Sequence, residues 1–290
     1  MSGFGDSSII RNTFQEASDV LNVDFWKMAT EANESLNETT NTQPIMLTAG
    51  VATWRAWQAQ SDALPAILAG HSLGEYTALV ASGALTFTDA LPLVRYRAEV
   101  MQNAVPAGVG AMAAILGLDD ETVSAVCTEA AQNEVLEAVN LNSPGQVVIA
   151  GNKAAVERGM ELAKAKGAKR ALALPVSVPS HCALMKPAAE QLAEYLKTVT
   201  IHQSKIPVLH NADVAAYQDG VKIKDALVRQ LYSPVRWVET VQAIHAKNIN
   251  LAAECGPGKV LAGLSKRIVA ELSCTALTNN ENILEFKQNI

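Results

Sequence analysis

The stretch GHSLGE, residues 70–75, follows the apolar run PAILA and sets Ser72 between Gly70 and Gly74 at the spacing G-x-S-x-G. Glycine and serine are common turn residues, so a plain turn is one account. The other is a nucleophile elbow, a strained strand-to-helix turn that presents a serine hydroxyl for attack on a carbonyl. A serine hydroxyl is a weak nucleophile until a base takes its proton, and that base is most often histidine. The chain has five histidines. His71 adjoins Ser72, but neighbours across an elbow point apart, so it reads as structural or as a pocket wall. His202, His210 and His245 fall in helix or strand contexts, where a packed or surface histidine is the commoner outcome. His181 sits in LPVSVPSHCALM, a loop stiffened by Pro175 and Pro179 just ahead of a helix. That setting suits a side chain that has to be held still. A loop histidine capping the helix is the alternative.

The elements that would position these residues follow from periodicity. The first sixty residues read as helical. Ser7 or Ser8 caps IIRNTFQEASDVL, with Ile10, Phe14, Val20 and Leu21 on one face, and PIMLTAGVATWRAWQ is a second, strongly apolar helix. A short strand at 65–70 leads into the elbow, then helices span 73–83 and 87–103. Residues 109–174 change character: GAMAAILGL, VLEAVNL, QVVIAG and AKRALAL read as strands, with helices over DDETVSAVCTEAAQ and KAAVERGMELAKAKG. The order βαββαβ is that of a ferredoxin-like unit. Afterwards helix and strand alternate again, through strands IPVLHN, INLAAEC and CTALT, which predicts a parallel α/β sheet interrupted by an insertion. The expected domains are a large α/β catalytic domain, 1–106 and 176–290, and a ferredoxin-like small domain, 107–175.

Bulk properties narrow the function. Half of the 290 residues are apolar and 18% are charged, enough for a substantial core. A net charge of −6 argues against nucleic acid as a partner. No apolar run is long enough to span a membrane, and the N-terminus lacks a basic-then-apolar signal. Cys127, Cys182, Cys255 and Cys274 are scattered and show no metal-ligand spacing, so they read as reduced thiols of a cytoplasmic protein, with no metal site. GPGK at 256–259 lacks the spacing of a phosphate loop and reads as a tight turn. The basic KAKGAKR at 164–170 reads as a solvated helix end rather than a docking site for an acidic protein.

Six blocks together carry a resemblance: GHSLGEYTALVASGAL, AVPAGVGAMAAILGL, VNLNSPGQVVIAG, LPVSVPSHCALMKPAA, DALVRQLYSPVRW and ECGPGKVLAGLSKRI. In this order, between about residues 13 and 278, they resemble malonyl-CoA:acyl carrier protein transacylases of bacterial type II fatty acid synthesis. The resemblance implies an α/β-hydrolase-like parallel-sheet domain with the inserted small domain. It also implies a Ser72–His181 dyad and a malonyl–serine ester that passes to the phosphopantetheine thiol of acyl carrier protein. The main-chain carbonyl of Gln230 would orient His181, and the Leu73 amide would serve the oxyanion hole. Arg97 would pair with the malonyl carboxylate, a planar guanidinium giving a bidentate clamp that an acetyl group cannot use. His71 and Asn140 would line the substrate cleft. Malonyl-CoA is then a substrate, no cofactor is needed, and a monomer is expected.

One departure stands out. The family begins with a short strand ending in a Gly-Gln-Gly-Ser-Gln loop, whose glutamine supplies a second oxyanion amide. This sequence opens MSGFGDSSII instead, so the expectation is a start downstream of the family's, with one oxyanion donor fewer. Such a loss typically lowers rate by ~10²–10³. Two other readings stay open. A serine thioesterase or hydrolase would use the same elbow but usually adds an acid between Ser and His in chain order. A shortened, non-catalytic homologue would bind carrier protein or coenzyme A without turnover.

Overall fold

The computed structural model describes residues 1–31, 34–176 and 178–290; Ser177, in the loop ahead of His181, lies outside them. Helix α1 (Ser8–Leu21) buries Ile10, Thr13, Phe14 and Ala17 at spacings of three and four, the pattern of a one-sided apolar stripe. Val20, expected on that face, is exposed where the helix ends at a left-handed Asn22. Ser7 stands at the N-cap but its side chain makes no capping bond. Asp24 caps the short α2 (Phe25–Thr30), accepting from the Lys27 N–H. Helix α3 (Thr39–Gln58) starts five residues before Pro44 and is buried on nearly every side, as a helix apolar all round must be.

Strand β1 (Leu68–Ala69) runs through the elbow into α4 (Gly74–Ala81), and α5 (Phe87–Asn103) follows, capped by Thr86. The next segment comprises β2 (Gly110–Leu116), α6 (Asp120–Ala131), β3 (Leu136–Ser143), β4 (Gln146–Asn152), α7 (Lys153–Ala165) and β5 (Arg170–Ala173). Its strands form one antiparallel sheet in the order β3-β4-β2-β5, the arrangement of a ferredoxin-like unit. The chain continues with α8 (Lys186–Leu196), β6 (Val208–Leu209), α9 (Gly220–Gln230), α10 (Trp237–His245), β7 (Leu251–Cys255), α11 (Val260–Ile268), β8 (Ser273–Leu277) and α12 (Asn280–Lys287).

The parallel strands do not make one continuous sheet among the described residues. They form two parallel pairs, β1 with β6 and β7 with β8. β1 and β6 are two residues long, too short for an extended ladder. Ala69 and Ala252, one from each pair, instead pack against a shared apolar cluster that includes Val235, Trp237 and Leu264.

Strand β4 shows how the smaller sheet reaches the loop that carries His181. Val147 and Ile149 point to α6 and α7, among Val123, Val126 and Val156. Each such fully buried side chain contributes about 1.5–3 kcal/mol before entropy is counted. Val148 and Ala150, on the opposite face, pack with Met112, Val139 and Cys182, the residue after His181. A second contact comes from Gly110, where a Cβ would lie 2.5 Å from the Pro179 ring. The sheet therefore backs the loop on both sides of His181. It is also tied to the rest of the chain by main-chain bonds: Val235 N–H donates to Val139 O (2.8 Å) and Leu141 N–H to Val235 O (3.1 Å). No helix among the described residues is long and apolar enough to cross a membrane.

Candidate active site

Two residues with left-handed backbones face each other. Ser72 has φ +50° and His181 φ +67°. Side chains other than Gly, Asn and Asp seldom adopt that region, and a strained backbone of this kind persists only where its surroundings enforce it. At Ser72 the enforcement is visible. A Cβ on Gly70 would fall 2.0 Å from the main chain of Gly74, so the turn closes only with glycine there. The Ser72 N–H donates to Asn211 Oδ1 (2.7 Å), and Asn211 Nδ2 donates to Gly70 O (2.7 Å), bracing both sides of the bend. At His181 the main-chain N–H donates to Leu231 O (2.9 Å).

Ser72 Oγ lies 2.8 Å from His181 Nε2, and His181 Nδ1 lies 2.7 Å from the Gln230 main-chain oxygen. A carbonyl oxygen can only accept, so Nδ1 carries the proton. That leaves Nε2 with its lone pair toward the serine hydroxyl, the tautomer a general base requires. His181 is 2% exposed. Burial is the main cause that brings its pKa down to about 3, and the nearby Arg97 charge lowers it further against the Gln230 bond. The imidazole is therefore neutral and ready to accept a proton at any pH near neutrality.

Arg97, carried by α5, is 1% exposed and reaches the same point. Its Nη2 donates to Ser72 Oγ (3.3 Å) and to Gln230 Oε1 (3.0 Å), and its Nη1 donates to Gln43 Oε1 (2.7 Å). The Nε–H is buried without a partner, and the guanidinium lies 5.5 Å from the centre of the Tyr76 ring. A cation so placed, with a donor free, is suited to an anionic group beside the serine. The Leu73 N–H stands at the start of α4, where a helix has no carbonyl of its own to offer it and where negative charge is favoured.

Among the described residues His71 makes no side-chain hydrogen bond to Ser72 or His181. Its Nε2 lies 2.8 Å from Asn142 Oδ1 and its ring tilts against Trp237, with centroids 5.6 Å apart. Burial holds its pKa below the ordinary value. Asn140 lies two residues earlier on β3, bridged to Val235, with a buried Oδ1 that has no partner. The side chain that meets His71 is thus Asn142, the first residue of the NSPGQ turn in the block quoted above.

Sequence reasoning also passed over Gln43, Glu75 and Asn211. Glu75 belongs to the quoted GHSLGE block, and its place one turn past the serine was the available signal. Gln43 and Asn211 lie in stretches with no motif around them. The GPGK turn leads into α11, whose Ala262 N–H is taken by Glu254 Oε2 (2.8 Å), so a carboxylate of the chain itself occupies that helix start. In the 164–170 stretch, Lys164 and Lys166 pair with Glu161 and Glu129 at the surface. Among the described residues no group of three His, Cys, Asp or Glu could hold a metal ion.

Known proteins share this arrangement of sequence and fold. Residues 3–275 match the acyl transferase domain family. Malonyl CoA-acyl carrier protein transacylases from Salmonella typhimurium and from Escherichia coli K12 are each 54% identical over 270 residues, covering 93% of this chain and 87% of theirs. The crystal structure of an acyl-carrier-protein S-malonyltransferase from Burkholderia pseudomallei superposes with a TM-score of 0.96 at 57% identity, over 98% of this chain and 94% of that one. A malonyl-transacylase solved in complex with a type II acyl-carrier protein gives 0.96 at 50% identity, over 97% and 92%. This chain belongs to the acyl transferase family.

Proposed function

We propose that this chain transfers a malonyl group from malonyl-CoA to the phosphopantetheine thiol of acyl carrier protein, in fatty acid biosynthesis, through an ester on Ser72. The observation that carries the reading is the convergence of three groups. Ser72 Oγ is within 2.8 Å of a neutral histidine nitrogen and 3.3 Å of a buried guanidinium. The buried cation suits an acyl group that itself carries a carboxylate.

In the first half-reaction Ser72 Oγ attacks the thioester carbon while His181 Nε2 takes the hydroxyl proton. The oxygen of the tetrahedral intermediate gains negative charge and is met by the Leu73 N–H. Collapse breaks the C–S bond, and His181 returns its proton to the departing coenzyme A sulfur. In the second half the carrier thiol gives its proton to His181 and attacks the ester carbon. The C–O bond then breaks and Ser72 recovers its proton. Throughout, the Gln230 carbonyl keeps the imidazole oriented and stabilises it when it carries the extra proton. Arg97 holds the malonyl carboxylate, and His71 and Asn140 border the cleft that receives the rest of the substrate. No cofactor enters these steps.

Residues 107–175 would act as a distinct small domain beside a larger one made of 1–106 and 176–290. Their own sheet and their own apolar cluster support that division. The hydrolase reading is less well supported, because His181 Nδ1 faces a carbonyl where an acid would be expected.

The test is intact-protein mass after brief exposure to malonyl-CoA, for the native chain, Ser72→Ala and Arg97→Ala. The expected result is a single malonyl adduct that is abolished by Ser72→Ala and slowed by Arg97→Ala. A folded native chain that forms no adduct would leave only a binding role, and an adduct that water clears as fast as carrier protein does would favour the hydrolase.

A further inference from the structure

Glu75 is fully buried and carries out none of the steps above. Burying a carboxylate is costly unless its oxygens are well supplied with donors. Here they are: Oε1 accepts from His210 Nδ1 (2.6 Å), while Oε2 accepts from the Asn211 main-chain N–H (2.9 Å) and from Gln230 Nε2 (2.9 Å). Gln230 Nε2 also donates to Ser72 O (2.9 Å). The amide nitrogen of Gln230 is thus fixed between two acceptors, and its Oε1 is left facing Arg97. Among the described residues no hydrogen bond of Arg97 goes to a carboxylate; it reaches Glu75 only across this amide.

We infer that Glu75 is a positioning residue for acyl-group recognition, acting through the side-chain amide of Gln230 to hold the Arg97 guanidinium at Ser72. Without Glu75 the Gln230 amide nitrogen keeps Ser72 O as its one acceptor, and half of what fixes the amide's orientation is gone. An amide held at one acceptor can tilt, and the guanidinium that bonds its oxygen would shift with it. A displacement of about 1 Å can cost roughly 10²-fold in rate. The Asn211 main chain, whose side chain accepts from Ser72 N–H, is held by the same carboxylate oxygen. This inference rests on the reading that Arg97 selects a carboxylated acyl group.

The geometry also says which replacement will work. A glutamine at 75 can present its oxygen to the two donors only by turning its –NH₂ to His210. His210 Nδ1 must then accept, and the ring proton must move to Nε2, which is buried with no partner. Glu75→Gln is therefore expected to keep the malonyl-over-acetyl preference of acyl-enzyme formation within about threefold while switching the His210 tautomer. Glu75→Ala is expected to lower that preference by ~10-fold or more. The preference is read by timed intact mass with malonyl-CoA and acetyl-CoA, and the tautomer by ¹⁵N NMR of the imidazoles.

Should Glu75→Ala not fold, Gln230→Leu removes the same link from its other end, keeps the carbonyl to His181, and should lower the preference in the same way. A native preference in folded Glu75→Ala, or in Gln230→Leu, overturns the inference. So does an unchanged His210 tautomer in Glu75→Gln, or a loss in Glu75→Gln as large as in the alanine variant. A native chain that forms no malonyl adduct is a separate outcome: it removes the reading of Arg97, while the tautomer switch still reports on the Glu75 contacts.

Discussion

At the scale of single residues, the state of His181 makes the sharpest prediction. Its pKa of about 3 lies well below the ordinary 6.5, so the folded chain stays neutral at this site where the unfolded chain is protonated. The acylation rate in single-turnover assays should therefore show no His181 break between pH 8 and 6; an inflection near 6.5 would show the imidazole to be solvated. The same shift bears on stability. Between pH 6.5 and 3 the unfolded state holds a proton here that the folded state lacks, so this site favours unfolding progressively as pH falls through that window. Urea midpoints of the native chain and His181→Gln across that range should converge toward low pH. Ser72 offers a second case, since its φ is +50°. Alanine pays the left-handed penalty that glycine does not, so Ser72→Gly should be more stable than Ser72→Ala by about 1 kcal/mol, both inactive. Equal midpoints would mean that the elbow carries no such strain.

At the scale of elements, what could be foreseen depended on how local the cause was. The turn at 70–75 was legible because the glycine that opens its five-residue spacing, Gly70, is a steric requirement written within the turn, although a Cβ at Gly74 would meet nothing. Gly70→Ala should demonstrate it: a methyl 2.0 Å from the main chain of Gly74 has no flexible neighbour to displace, so acyl-enzyme formation should fall by at least ~10²-fold. Native rates in that variant would show that the turn can reopen. The strands and helices between 110 and 173 were legible for a similar reason, since each alternates or repeats with its own period. The start of α3 at 39–43 was not. Pro44 looked like the first residue of its helix, as proline commonly is, yet tertiary burial of Asn41 and Gln43 draws the helix five residues further back.

For the whole molecule, Ser72, His181 and Arg97 emerged from motifs and resemblance, whereas the residues that hold them did not. Gln43, Glu75 and Asn211 act across separations of 54 to 155 positions, and only the fold brings their partners within reach. Polar residues of this kind carry no period and no turn chemistry, so in the bare chain they read as surface. The division of the parallel strands into two pairs was likewise hidden, because strand order is a property of packing rather than of any strand. The two main-chain bonds between Val235 and strand β3 carry a consequence of a different kind. They stitch one side of the cleft like a spine stitches a book, so the small sheet can swing only as a leaf does, about that edge. Amide exchange at Leu141 and Val235 should then be slow and unaffected by substrate, while any opening is felt at the far margin; fast exchange at both would mean that the leaf is loose.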